Sequence, residues 1–224
     1  MNYKKITFYL IWLGLISLGP ITVLGVTPFA SVVVNKVLLV NFFQRILGLT
    51  AFTLIFIQII LGSFMSKWIE KLGTWIFKFH ITQEPIAYIL IFLHPLMTVF
   101  VNYFTGRGLD PFYVFIDVCI LCDGKFEWLY NFGRIGFWLI TIAVIAALFR
   151  TSTPFLRLHW KKFHVLNYVA FYVIWFHSIK LGQDVGTPPF GYFHGPSIII
   201  VSAIVIVKLS KFADSLAKHL KLRG

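Results

Sequence analysis

The sequence predicts an all-α integral membrane protein with six transmembrane helices. Two observations carry that prediction. Of the 224 residues, 58% are hydrophobic and only 12% charged, with a mean hydropathy of +0.84; soluble domains carry roughly 25% charged residues. The apolar residues are also gathered into stretches near the ~20 residues that a helix needs to cross the hydrocarbon core. These run over about 6–25, 41–65, 81–104, 132–149, 163–181 and 196–212. The net charge of +12 is spread between the stretches and forms no continuous patch. It therefore points to membrane lipid and chain orientation, and away from nucleic acid.

Taken in order, Lys4 and Lys5 precede an apolar run from Ile6 to about Gly25. Cleaved signals have roughly 7–15 apolar residues, so this run reads as a retained first helix. Residues 26–40 stay apolar but are broken by Pro28, Asn35 and Lys36. In the third span Pro85 suits the first turn and Pro95 should kink the helix. Residues 105–131 form the longest connection, opening with TGRGLDP and continuing into FYVFIDVCILC, too short to span and best placed at the interface. A Gly/Pro-rich segment, 182–196, predicts an ordered non-helical cap that includes His194. The tail, 208–224, has a basic amphipathic pattern that suits the membrane surface. No repeat or second domain interrupts 1–224.

Most of the 20 Lys and Arg, among them Lys4, Lys5, Lys67, Lys78, Arg150, Lys161, Lys162 and Lys211, fall on the side that holds both termini. Asp110, Asp117, Asp123, Glu127 and Asp184 fall on the other. The positive-inside rule then places both termini in the cytoplasm, which an even number of spans requires.

Four histidines stand out against this frame. His80 and His94 are 14 residues apart on the third span, and His164 and His177 are 13 apart on the fifth. At 1.5 Å per residue the separations are about 21 and 20 Å. Both spans start at the cytoplasmic face, so His80 and His164 share an inner depth and His94 and His177 an outer one. Polar groups amid apolar residues are costly in a membrane and commonly functional. Two matched pairs predict two stacked haems, each iron saturated by two imidazoles, an arrangement that suits electron transfer. On an ideal helix His94 lies some 40° from His80, but His177 lies about 140° from His164. The fifth helix is therefore expected to be distorted, or His164 to act from an irregular first turn. His159 shares a face with His177 but lies too far along the axis.

Arg45 and Arg134 sit at the outer ends of the second and fourth spans, as snorkelling residues or as partners of outer haem propionates. Glu84 and Gln83 follow His80 by one turn; a carboxylate there could orient that histidine or relay a proton, or simply decorate a helix N-terminus. Cys119 and Cys122 form a CxxC with no following His, so it is not a c-type haem attachment site. A disulfide, a redox relay and two interfacial cysteines without a role are the readings open, the last being the default.

HITQEPIAYILIFLHPLM and WKKFHVLNYVAFYVIWFHSIKLGQDV resemble the two haem-bearing helices of the ferric reductase-like transmembrane domain. That family includes ferric reductases, NADPH oxidases and the haem subunit of a bacterial methionine sulfoxide reductase system. The resemblance covers the second to sixth spans. It implies a helical bundle formed mainly by the second to fifth, b-type haems held by His80, His94, His164 and His177, and electron flow outward from the cytoplasm. Two departures accompany it. No GxGxxG is present and about a dozen residues follow the last span, so flavin is expected only on a separate cytoplasmic reductase, or a membrane quinol supplies the electrons. The further histidine of the NADPH oxidases is replaced by Thr98, and the sulfoxide reductase subunit typically lacks an equivalent of His80.

The expected function is that of a membrane cytochrome b, an electron-transfer subunit handing electrons to ferric iron, oxygen or a periplasmic redox protein. The alternatives are a haem subunit of the sulfoxide reductase type and a non-haem transporter using the same histidines as a proton relay.

Overall fold

The computed structural model describes residues 3–122 and 124–221. Asp123, read above as an outer acidic residue, and the last three residues of the tail lie outside them. All regular elements described are helices: α1 (Tyr3–Val26), α2 (Phe29–Val32), α3 (Lys36–Ser63), α4 (Met65–Leu72), α5 (Trp75–Phe104), α6 (Tyr113–Ile116), α7 (Lys125–Leu148), α8 (Pro154–His164), α9 (Leu166–Leu181) and α10 (Phe190–Lys221).

Five helices, α1, α3, α5, α7 and α10, are long and apolar enough to cross a membrane. The predicted fifth span differs: it is divided at Val165 into α8 and the 16-residue α9. At 1.5 Å per residue α9 is about 24 Å long, shorter than a ~30 Å hydrocarbon core. The division follows composition. α8 carries Lys161, Lys162 and His164 in its last turn, whereas α9 is apolar almost throughout; one straight helix would drive that basic turn toward the apolar layer.

Three boundaries also move. α5 begins at Trp75, so His80 already lies inside the helix. α7 begins at Lys125, because KFEWLYN is polar enough to end an apolar window yet helix-compatible. α10 begins at Phe190, which shortens the non-helical cap to 182–189 and puts His194 on a helix. The described part of the basic tail prolongs α10 and is no separate surface element.

Local chemistry explains the starts. The Asn35 side chain accepts from the Val37 and Leu38 amides and opens α3. Thr153 does the same for Leu156 ahead of Pro154 and opens α8. α3 is the most enclosed helix, with Phe42, Phe52, Leu54, Phe56 and Leu61 buried. It packs along α5, while α7 packs along α9, and α1 lies beside α3. A Cβ on Gly19 of α1 would stand 2.7 Å from that of Leu49, so only glycine allows this approach.

Gln83 fixes three helices together. It accepts from Trp12 Nε1 (2.8 Å) and donates to the Leu54 carbonyl (3.3 Å), and it is buried. Gln83→Leu is expected to cost about 1–3 kcal/mol, because the Trp12 donor is left without a partner away from water. Thermal unfolding in detergent checks it, and a loss below a few tenths would remove Gln83 from this role.

Candidate functional site

The four histidines divide between two cavities. His94 (α5) and His177 (α9) line an outer cavity of about 420 Å³. His80 (α5) and His164 (the last residue of α8) line an inner cavity of about 100 Å³. Ile55 and Ile91 belong to the walls of both.

The outer pair is preset in one tautomer. His94 Nδ1 lies 2.9 Å from the Gln44 carbonyl and His177 Nδ1 3.3 Å from that of Leu129. A carbonyl can only accept, so both rings carry their proton on Nδ1 and keep the Nε2 lone pair for a ligand. Glycine makes room for them. A Cβ on Gly48 (α3) would stand 2.7 Å from His94 Cε1, and one on Gly133 (α7) 2.8 Å from His177 Cε1. Each ring thus lies against the bare backbone of its partner helix.

No family model, curated protein or solved structure matches this chain. The site is therefore read from its own residues.

In the inner pair the ring centres of His80 and His164 are 6.5 Å apart and the planes almost perpendicular. Two imidazoles sharing one metal at about 2.0–2.1 Å per nitrogen have their centres ~6 Å apart, so the spacing is that of a facing pair. The surroundings differ from the outer site. His80 Nδ1 and Gln58 Oε1 are buried without a hydrogen-bond partner among the described residues. The Asn167 amide nitrogen lies 3.3 Å from His164 Nδ1 and donates to it, which puts the His164 proton on Nε2. Glu84 lines this cavity but makes no hydrogen bond to His80 Nδ1, and Gln83 is turned away toward Trp12. The orienting role considered for Glu84 is not taken up. His159 donates to the Phe155 carbonyl and stacks on that ring, outside both cavities.

Arg45 and Arg134 both reach the outer cavity wall, already engaged. Arg45 grips Asp184 with Nε and Nη2 (2.6 and 2.7 Å) and Thr27 with Nη1 (2.9 Å). Arg134 is buried; it donates to the Tyr113 carbonyl (3.2 and 3.0 Å) and to Asn131 Oδ1 (3.0 Å), with its guanidinium over the Tyr113 ring. Neither snorkels. Burial and the Glu127 carboxylate, which accepts from the Tyr113 hydroxyl at 3.2 Å, push that phenol above its ordinary value, so it keeps its proton.

His194 lines the outer cavity from α10, buried, its ring parallel to Trp175 and its Nε2 2.8 Å from Ser178 Oγ. Thr98 Oγ1 accepts from Gln44 Nε2 at 2.8 Å and lines the same cavity. The sulfurs of Cys119 and Cys122 are bonded, so the reading of two cysteines without a role is replaced by a disulfide.

Sequence reasoning passed over Gly48, Gly133 and Asn131, and counted Asp184 only as an outer acidic residue. The glycines left only a weak signal, since an isolated Gly inside an apolar helix can have a packing reason, as at Gly48 and Gly133, or none, as at Gly14. Asp184, in a loop 139 residues from Arg45 in sequence, left none.

Proposed function

We propose that this chain is a membrane cytochrome b that moves electrons between the two faces of a bilayer. The observation that carries the reading is the outer pair: two neutral imidazoles with free Nε2 atoms, facing one cavity and cradled by glycine. The cavity lies within the roughly 300–1,000 Å³ usual for ligand and cofactor sites. His94 and His177 would hold the iron of an outer haem b, and His80 and His164 that of an inner one. Arg45 and Arg134 would meet the outer propionates with the part of each guanidinium fork not yet committed. Bound there, the haems supply one-electron chemistry between a cytoplasmic flavin reductase or membrane quinol and an outer acceptor such as ferric iron, oxygen or a periplasmic redox protein.

The protein's own contribution is to orient and to insulate. Gln44 and Leu129 hold the outer rings in the ligating tautomer. With His94 and His177 both holding the outer haem, no open position would be left there for oxygen, and Thr98 supplies no extra histidine near the outer site. α9 would be the sixth crossing, its 24 Å made sufficient by the interfacial α8, with both termini in the cytoplasm.

A second reading is favoured by the inner cavity, which is about a quarter of the outer one in volume and has the His164 proton on Nε2. It is a single-haem subunit of the sulfoxide reductase type, using the outer pair alone.

A pyridine haemochrome assay on purified protein, with reduced-minus-oxidised spectra, separates the readings. Two b haems per chain, with one lost in His80→Ala and one in His177→Ala, support the two-haem cytochrome. One haem, lost in His94→Ala or His177→Ala but not in His80→Ala, supports the second reading. No haem in folded protein from haem-replete cells removes both and brings forward the proton-relay transporter.

A further inference from the structure

The Cys119–Cys122 disulfide is tied to the outer cavity by two side chains. Asn131 Oδ1 accepts from the Cys119 amide (3.3 Å), and Asn131 Nδ2 donates to the Cys119 carbonyl. The same Oδ1 accepts from Arg134 Nη1 at 3.0 Å, and Arg134 forms part of the cavity wall. Both cysteines are half-buried, and the residues between them, Ile120 and Leu121, are 85% and 92% exposed.

We propose that Cys119 and Cys122 form a thiol–disulfide exchange site for a dithiol-bearing protein on the outer face. Three features support this over a structural staple. Cross-linking residues three apart closes so short a loop that it removes little entropy from the unfolded chain. The backbone at Cys119 is already held by Asn131, so the loop does not depend on the sulfur bond for its shape. The apolar side chains between the cysteines stand outward beside the disulfide, where an approaching protein can cover them.

In the exchange, a thiolate of the partner attacks one sulfur and breaks the Cys119–Cys122 bond, forming a mixed disulfide and releasing the other cysteine as a thiolate. The partner's second thiolate then attacks the mixed disulfide. The partner leaves oxidised to a disulfide, and its two electrons and two protons remain on Cys119 and Cys122 as thiols. Asn131 is a positioning residue: it holds the Cys119 backbone in the closed-ring geometry, so its loss shifts the balance toward the dithiol. The proposal stands apart from the haem reading, and its test does not depend on pigment.

The test uses the full chain in detergent, without denaturant, with thiols counted by the mass shift of a maleimide reagent. Dithiothreitol is expected to open the pair within minutes and oxidised glutathione to close it again. In Cys119→Ser or Cys122→Ser, the remaining cysteine should capture glutathione as a mixed disulfide. Asn131→Ala should move the glutathione ratio at half-reduction at least about tenfold, or about 30 mV for a two-electron couple, toward the dithiol. A pair that stays closed under dithiothreitol, or single-cysteine variants that capture nothing, would overturn the proposal and leave a staple. An unmoved midpoint in folded Asn131→Ala would remove the positioning role. If that variant does not fold, the two serine variants decide the matter alone.

Discussion

Asp184→Ala is expected to destabilise the protein by about 3–5 kcal/mol, because it strands the Arg45 guanidinium in a site where the pair's side chains are 13% and 3% exposed. The pair joins parts of the chain that share no helix: Arg45 on α3, Asp184 in the 182–189 loop, and Thr27 just after α1. Its loss should loosen the outer cap as well as lower the global midpoint. Thermal unfolding in detergent measures the first effect, and hydrogen exchange over 182–189 the second. The double variant Arg45→Met with Asp184→Leu should recover most of the stability, since an apolar pair of similar size carries no desolvation cost. A loss under about 1 kcal/mol in Asp184→Ala would mean that the pair behaves as a solvated surface bridge.

Gly133→Ala and Gly48→Ala are expected to strip the outer site while leaving the helices in place. The added methyl would stand 2.8 Å from His177 Cε1 in the first and 2.7 Å from His94 Cε1 in the second, both inside van der Waals contact. The ring must swing away, and its hydrogen bond to the Leu129 or Gln44 carbonyl goes with it. Overpacking of this kind costs about 1–3 kcal/mol, which on the proposed reading weakens haem retention by roughly 5–150-fold. Gly62→Ala is the graded comparison, its methyl 3.4 Å from His80 Cε1, and Gly14→Ala the blank, with nothing within 4 Å. Haem per chain and the absorption spectrum give the ranking. Full retention in both Gly133→Ala and Gly48→Ala would show that the rings do not need the bare backbone, and the cradle would lose its meaning.

How much of this was legible in the sequence depends on the range of the interaction. The apolar runs gave away α1, α3, α5, α7 and α10, because burial in hydrocarbon is written residue by residue. The pairing of His80 with His164 and of His94 with His177 was legible as well, since rise per residue converts spacing into depth. The 140° mismatch at His164 was legible only as a conflict. An unbroken helix puts His164 on the wrong side, and the structure resolves the conflict by ending α8 at His164 and starting α9 at Leu166. Arg45 with Asp184, and Gln83 with Trp12, were not legible: each joins residues far apart in sequence whose pairing only the assembled bundle decides. The sequence pointed to Arg45 and Arg134 as residues near helix ends, but not to their partners. Buried guanidinium is held by whatever acceptor the fold brings, and no local pattern names it.

Ile55 and Ile91, shared by the two cavity walls, are saturated side chains at the place where the cavities adjoin. A proton hopping past them would need a donor or acceptor, and neither side chain offers one. Moving a bare charge into such a medium carries a Born cost of tens of kcal/mol. An electron needs no such stepping stone, because it tunnels through a layer of saturated carbon that stops ions. On the proposed cytochrome reading, electrons passing between the histidine pairs would cross these two side chains without being offered a path for protons.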